Sequence, residues 1–309
     1  MAKNKSLGRW LISGPPLLYL LIFFAIPTLI MAFAAFRFPG DYGGLLPLID
    51  INPETGKNEL LIHAGNWQEY LTFENFSRFF EDTIYVELFI KSFWYAGITT
   101  LVCLCMSYPL AWLIARSPKK YRDLLILLVI LPFWSNFLIR VYAWMIILGP
   151  QGYFAMTINQ GLALLGIAPI QLMYSHFAVI VVLVYVHLPF MVLPLYANLE
   201  KHDVALLDAA QDLGASGWQR FWKITWPLSL PGVWAGSALV FIPALGMFAV
   251  PDLLGGTDGM MVGNLIKQQF LDSRDWPFGS VLSIMLTLAV LIMAGLGMLI
   301  GRGRQRNAL

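Results

Sequence analysis

Six long apolar runs, separated by shorter polar stretches, dominate the chain: roughly Leu11–Phe36, Leu88–Ala115, Leu124–Leu148, Met173–Leu199, Pro231–Val250 and Phe278–Ile300. Each is about twenty residues or longer. At a rise of about 1.5 Å per residue, that length carries an α-helix across a hydrocarbon core of about 30 Å. No two-residue alternation of apolar and polar positions runs through them, which excludes a transmembrane β-barrel. No repeat of about 20–50 residues marks a solenoid or propeller. The pattern predicts an all-α polytopic membrane protein with six transmembrane helices. The first run follows Lys3, Lys5 and Arg9 and contains Ala32-Phe33-Ala34, so it shares features with a secretory signal. It is nevertheless longer than the about 7–15 residues of a signal core, and an uncleaved anchor is expected.

Composition agrees with this reading. Hydrophobic residues make up 58% and charged residues 12% of the chain, against about 45–50% and about 25% in soluble domains. The net charge of +2 offers nothing to nucleic acid. The placement of the basic residues is more informative. Lys3, Lys5 and Arg9; Arg116, Lys119, Lys120 and Arg122; Lys201, Arg220 and Lys223; and Arg302, Arg304 and Arg306 fall in the two termini and in every second connector, all on one side of the six runs. By the positive-inside rule these segments are cytoplasmic, with both termini. The expected organisation is a cytoplasmic N-terminus at 1–10, one transmembrane domain at 11–300 and a basic cytoplasmic tail at 301–309. The domain carries an external loop at 37–87 and a cytoplasmic loop at 200–230. The expected location is a bacterial inner membrane. The external loop is acidic, and residues Phe76–Leu88 suit an amphipathic helix lying at the outer interface. That helix suits either a delivery protein or a simple cap over the bundle. Cys103 and Cys105 sit together in one apolar run and read as small buried hydrophobes.

The loop after the fourth run is expected to form two short helices with a break. Asp203 is placed to cap the first helix, and Leu206, Ala209 or Ala210, and Leu213 share one face. Gly214 can take positive φ and end it. Ser216 can cap a second turn that carries Trp218, Phe221 and Trp222. Two alanines beside a glycine leave a smooth surface, and exposed aromatics suggest an interface. Physics alone leaves two readings open: a helix resting on lipid headgroups, or a dock for another protein.

This loop resembles the E-A-A motif of ABC importer permeases. Asp208-Ala209-Ala210, three residues, Gly214, nine residues, then Ile224-Thr225-Trp226-Pro227 keep every spacing of that pattern. Asp208 stands where the family has Glu, and Trp226 where it has Leu. The resemblance implies a type I (MetI-like) importer permease architecture. It also implies a coupling helix that docks on an ATPase through Asp208, Ala209, Ala210, Gly214 and Arg220. The chain has no G-x-x-x-x-G-K-[ST]. No catalytic residue, metal or cofactor is therefore expected here, and ATP with Mg would sit on the partner.

The resemblance narrows further along the chain. Leu131-Pro132-Phe133-Trp134, Leu138 to Trp144, Leu188 to Tyr196, Asp252-Leu253-Leu254-Gly255-Gly256, and Gln269-Phe270 with Arg274-Asp275-Trp276-Pro277 look like the first permease subunit of spermidine/putrescine importers. Such systems pair two different permeases with two ATPase copies and a periplasmic binding protein, and these partners, with membrane lipid, are expected here. A polyamine suits carboxylates and aromatic faces. Asp252 and Asp275, with Trp276, Trp134 and Tyr185, are the substrate-path candidates. Arg140 would repel a polyamine; an internal ion pair, with Asp275 or Asp252, or snorkelling is expected of it. His187 is expected to hydrogen-bond a neighbouring helix. Pro109, Pro132, Pro189, Pro194 and Pro243 fall within spans, where freed carbonyls need protein or water. Three alternatives stand beside this reading: a permease for another small organic solute in the same branch, an ion-gradient-driven secondary transporter, and a polytopic membrane enzyme. The last lacks H-E-x-x-H and G-x-S-x-G, and the secondary transporter lacks a visible internal duplication.

Overall fold

The computed structural model describes residues 13–51, 58–60 and 70–306. Lys3, Lys5 and Arg9 lie outside them, as do Glu54, Lys57, Trp67 and Glu69 of the external loop. Six helical stretches are long and apolar enough to cross a membrane. The chain divides into two compact units, residues 1–87 with 265–309, and residues 88–264.

The first unit begins with helix α1, Ser13–Ala34. It contains a π turn at Leu21–Ala25, directly before Ile26-Pro27. Proline brings no N–H to the ladder, so the turn ahead of it widens. Past α1, Arg37 is buried at 3% exposure and donates from Nη2 to the Leu46 carbonyl. Asn75 donates from Nδ2 to the carbonyls of Arg37 (2.8 Å) and Ala35 (3.2 Å). Two short antiparallel strands follow, β1 (Ile49–Ile51) and β2 (Asn58–Leu60), with Asp50 opposite Glu59. This ribbon is a local exception to the all-α expectation. Helix α2, Glu74–Glu81, ends at Asp82, whose extended backbone separates it from α3, Thr83–Arg116. The helix expected over 76–88 is therefore two helices. The last helix, α12 (Trp276–Arg306), packs on α1 and α2.

The second unit holds most of α3, then α4 (Lys119–Ile130), α5 (Phe137–Leu148) and α6 (Tyr153–Leu164). Helices α7 (His176–Leu199), α8 (Val204–Asp212), α9 (Gly217–Leu245), α10 (Ala249–Leu254) and α11 (Val262–Lys267, passing into the first unit) follow. The third apolar run is not one helix. A 3₁₀ turn at Leu131–Trp134, started by Pro132, interrupts it. Asn136 then restarts the chain by accepting from the Leu138 N–H at 2.8 Å. The apolar stretch of spanning length is instead Phe137–Leu164, because α4 opens with Lys119, Lys120, Arg122 and Asp123. The fifth run also begins earlier than its hydropathy suggests. Helix α9 runs from Gly217, through a π turn at Phe221–Thr225 that again precedes a proline, Pro227.

Helices α7 and α9 make the most extensive contact in this unit. Within a bilayer, close packing rather than exclusion from water holds helices together. A Cβ at Gly232 would lie 2.7 Å from the Asn198 Cβ and 3.1 Å from the Pro194 carbonyl. One at Gly236 would lie 2.7 Å from the Met191 sulfur. These two glycines, one turn apart, let the helices touch backbone to backbone. Cys103 is buried with its sulfur 3.6 Å from the Val184 carbonyl, whereas Cys105 faces outward, against expectation. His187 is buried as expected, but its Nδ1 meets the Leu183 carbonyl of its own helix at 2.8 Å, not a neighbour's.

Candidate coupling loop and substrate-path residues

After α7 the chain turns tightly, with Lys201 N–H donating to Asn198 (3.1 Å) and His202 N–H to Leu199 (3.2 Å). Asp203 then caps α8, its Oδ1 accepting from the Ala205 N–H at 2.9 Å. Helix α8 buries none of its residues. It ends on Gly214, at φ +82°. The Gly214 N–H reaches the Gln211 carbonyl (2.8 Å) and the Ala215 N–H reaches Ala210 (3.0 Å). That pair of bonds is the Schellman closure, which satisfies carbonyls a helix end leaves unpaired. A Cβ at Gly214 would meet nothing within 4 Å, so the backbone angle alone, not crowding, calls for glycine.

The second arm starts with a capping box. Ser216 Oγ accepts from the Gln219 N–H (3.3 Å), and Gln219 Oε1 accepts from the Ser216 N–H (2.9 Å). Arg220 Nη1 donates to Gln211 Oε1 at 2.6 Å and ties the two arms together. Asp208 and Ala209 lie exposed on α8, with Ala210 half-buried. Leu213 at 89% and Trp218 at 72% exposure continue the same uncovered surface.

From Trp218 an aromatic series leads inward. Trp218 meets Trp222 at 5.6 Å between ring centres, and Trp222 meets Trp226 at 5.7 Å. Trp226 and Phe221 each lie 5.6 Å from Tyr108 on α3. The Tyr108 hydroxyl is 2.9 Å from Ser229 Oγ, which donates to the Trp226 carbonyl at 2.9 Å. Sequence reasoning missed this inward connection. The spacing of Trp218, Phe221 and Trp222 signalled exposed rings, but nothing in it pointed to Tyr108.

Residues 83–304 match the family model described as the binding-protein-dependent transport system inner membrane component. The chain belongs to this family. It is a multi-pass inner-membrane permease of the ABC importer class. The permease is 48% identical over 224 residues to the Escherichia coli spermidine/putrescine transport system permease protein PotB, covering 72% of this chain and 80% of that one. It is 46% identical over 224 residues to the Haemophilus influenzae protein of the same name, covering 72% and 77%. Among solved structures, a bacterial ABC transporter involved in alginate import superposes with a TM-score of 0.65 at 18% identity, covering 98% of this chain and 99% of that chain. At that identity the likeness speaks for the fold.

In the second unit of the permease, Asp252 lies exposed on α10. Asn264, only 5% exposed, donates from Nδ2 to Asp252 Oδ1 and to the Phe248 carbonyl (2.8 Å), and accepts from the Met261 N–H (3.0 Å). This asparagine, missed in the sequence, fixes the carboxylate's orientation. Tyr185 meets Trp144 edge-on at 5.5 Å, and Trp134 stands 74% exposed at the 3₁₀ turn. Arg140 takes neither ion pair expected of it. Its guanidinium lies 4.7 Å from the Phe133 ring centre, and among the described residues it pairs with no carboxylate. In the first unit, Asp275 is engaged twice. Its Oδ2 pairs with Arg78 at 2.9 Å and its Oδ1 accepts from the Phe278 N–H at 3.1 Å, capping α12. Arg78 also lies 4.2 Å over the Phe278 ring. Trp276 beside it is 47% exposed.

Proposed function

We propose that this permease forms half of a heterodimeric pore that imports polyamines, spermidine or putrescine, by alternating access. The observation that carries the substrate is the 48% identity to a spermidine/putrescine permease over 224 residues. The partners are a second homologous permease, two copies of an ABC ATPase and a periplasmic binding protein. A bacterial alginate importer of the same fold bears on the last of these, since its structure holds an oligosaccharide-bound periplasmic protein. Both termini face the cytoplasm in this reading, which the basic residues beside the spans support. The loop from Asp203 to Arg220 is then the ATPase dock. Asp208, Ala209 and Ala210 present its surface, Gly214 sets its bend and Arg220 braces it. ATP and Mg are bound by the ATPase, whose closure moves the loop and opens the pore to the outside.

Asp252 is the carboxylate this reading assigns to the cation's path. It is exposed on α10 and accepts a hydrogen bond from Asn264. Asp275, paired with Arg78, is a second carboxylate candidate. Trp276, Trp134 and Tyr185 supply aromatic faces for the methylene chain and amines. The test is uptake of labelled spermidine and putrescine by the reconstituted complex, with other small organic solutes as competitors. Polyamine uptake that requires ATP and falls roughly tenfold in Asp252→Asn is expected, the loss of one charge-assisted contact. Uptake driven by an ion gradient without ATP would sink the importer reading. Unchanged kinetics in Asp252→Asn would remove that residue from the path.

A further inference from the structure

The coupling loop has two roots, and both return to α3. The downstream root is the packing of Phe221 and Trp226 on Tyr108. The upstream root depends on Arg122. A cation in the first turn of a helix opposes the helix dipole, and Arg122 occupies that turn of α4. Its guanidinium bends back instead. Nη2 donates to the carbonyls of Ala115 (2.9 Å) and Ser117 (3.3 Å), at the end of α3, where a helix leaves carbonyls unpaired. Nη1 donates to Glu200 Oε1 at 2.5 Å, and Glu200 is the residue that closes α7. The Arg122 side chain is 17% exposed and Glu200 41%. The Tyr196 hydroxyl and then the Arg122 guanidinium hold the Glu200 carboxyl below its ordinary range, so it is ionised at neutral pH.

Only Lys201, His202 and Asp203 separate Glu200 from α8. We infer that Arg122 is a positioning residue of the transport cycle, pinning the upstream root of the coupling loop to the end of α3 so that loop displacement moves the spanning helices. The inference rests on the loop being the ATPase dock. The aromatic root is a broad packed contact; at the upstream end Leu195 and Leu199 pack in one apolar cluster with Ile114, and the polar link is one planar fork serving two carbonyls and a carboxylate at once. Lysine has a single ammonium head and cannot reproduce that geometry. Without the fork, the turn at Lys201 and His202 is free to bend while α7 stays still.

The experiment uses the assembled importer in proteoliposomes with its loaded binding protein, and measures ATP hydrolysed per polyamine imported. In Arg122→Gln this ratio is expected to rise roughly fivefold, the scale of one partly exposed charge-assisted group. Arg122→Lys should fall between it and wild type, and Glu200→Gln, which keeps an acceptor, should change least. The exchanged pair Arg122→Glu with Glu200→Arg should not recover, because the carbonyls of Ala115 and Ser117 would face a carboxylate. An unchanged ratio in both Arg122 variants would overturn the inference. A second readout does not depend on the cargo. Spin labels at Lys119→Cys and Lys201→Cys, in a chain carrying Cys103→Ala and Cys105→Ala, should give a narrow distance distribution that Arg122→Gln broadens. If the wild-type complex imports no polyamine, the substrate reading fails while this distance measurement still judges the latch. A distribution as narrow in Arg122→Gln as in wild type would overturn it.

Discussion

Helices α7 and α8 follow one another in the chain and are stabilised by opposite means. Helix α7 is built into the unit: Val182, Leu183, Met191 and Leu195 have no exposed surface, and α9 lies against its length. Helix α8 buries nothing and has only local bonds. It has Asp203 at one end, the Gly214 closure at the other, and the Arg220–Gln211 bond across the bend. A segment of nine residues is marginal as an isolated helix in water. Its shape is therefore set by its caps, and the ATPase proposed above is what would cover it. The comparison predicts that damage to α7 and α9 is read as lost protein, and damage to α8 as lost coupling.

The largest expected effect comes from Gly232→Leu. A branched side chain there would drive into the Pro194 carbonyl and the Asn198 side chain, which are backbone and near-backbone atoms that cannot swing away. Overpacking of this kind costs about 1–3 kcal/mol, and more where backbone must move. The chain should fail to accumulate in membranes, as immunoblotting would read directly. Gly236→Ala should be milder, since part of what it meets is the adaptable Met191 thioether. Normal accumulation of Gly232→Leu would mean that the α7–α9 contact is not what holds the unit.

Gly214 sharpens the contrast, because its space is open and only its φ of +82° is demanding. A side chain in the left-handed region costs about 1–2 kcal/mol, less for asparagine. Proline, fixed near φ −65°, also removes the N–H that reaches Gln211. Transport in the assembled importer should therefore fall in the order Pro, Ala, Asn, with Gly214→Pro roughly tenfold down or more. Membrane accumulation and basal ATP hydrolysis should stay as in wild type. Normal import by Gly214→Pro would end the assignment of this loop as the coupling element.

The contrast was half legible in the sequence. Six runs of spanning length require no tertiary knowledge, and the caps Asp203, Gly214 and Ser216 act on their own immediate backbone, so their residue types announced them. The interruption at Leu131–Trp134 was harder to see, because hydropathy does not register a helix break among apolar residues and Pro132 alone is tolerated within many spans. Partner choices were not legible at all. Asp252, at the end of a span, and Asp275 were both substrate-path candidates as outer carboxylates, and nothing in the sequence indicated their partners. The fold gives one to Arg78 and the Phe278 N–H, and holds the other with Asn264. Arg140 looked like half of an ion pair and lies on a ring instead. Such outcomes depend on which distant segments meet, and one sequence does not encode that in local pattern.

The smallest effect, and the most local, is expected from Ser216→Ala. The substitution removes the Oγ that accepts from the Gln219 N–H, while the reverse bond from the Ser216 N–H to Gln219 Oε1 can persist. Losing one N-cap side chain costs about 1 kcal/mol. If the first turn of α9 opens locally, its amides should exchange with solvent roughly fivefold faster at 217–219, while those of α7 stay unchanged. Accumulation should not move, because no packed surface is touched. Coupling should weaken only slightly, since Arg220 still ties the bend to Gln211 and the ring series from Trp218 to Trp226 remains. Removing Gln219 as well, in Ser216→Ala with Gln219→Ala, should deepen the exchange effect without spreading it into α7. Were exchange to quicken in α7 too, α8 and α7 would form one cooperative unit, and the division between a packed frame and a capped, partner-shaped loop would be wrong.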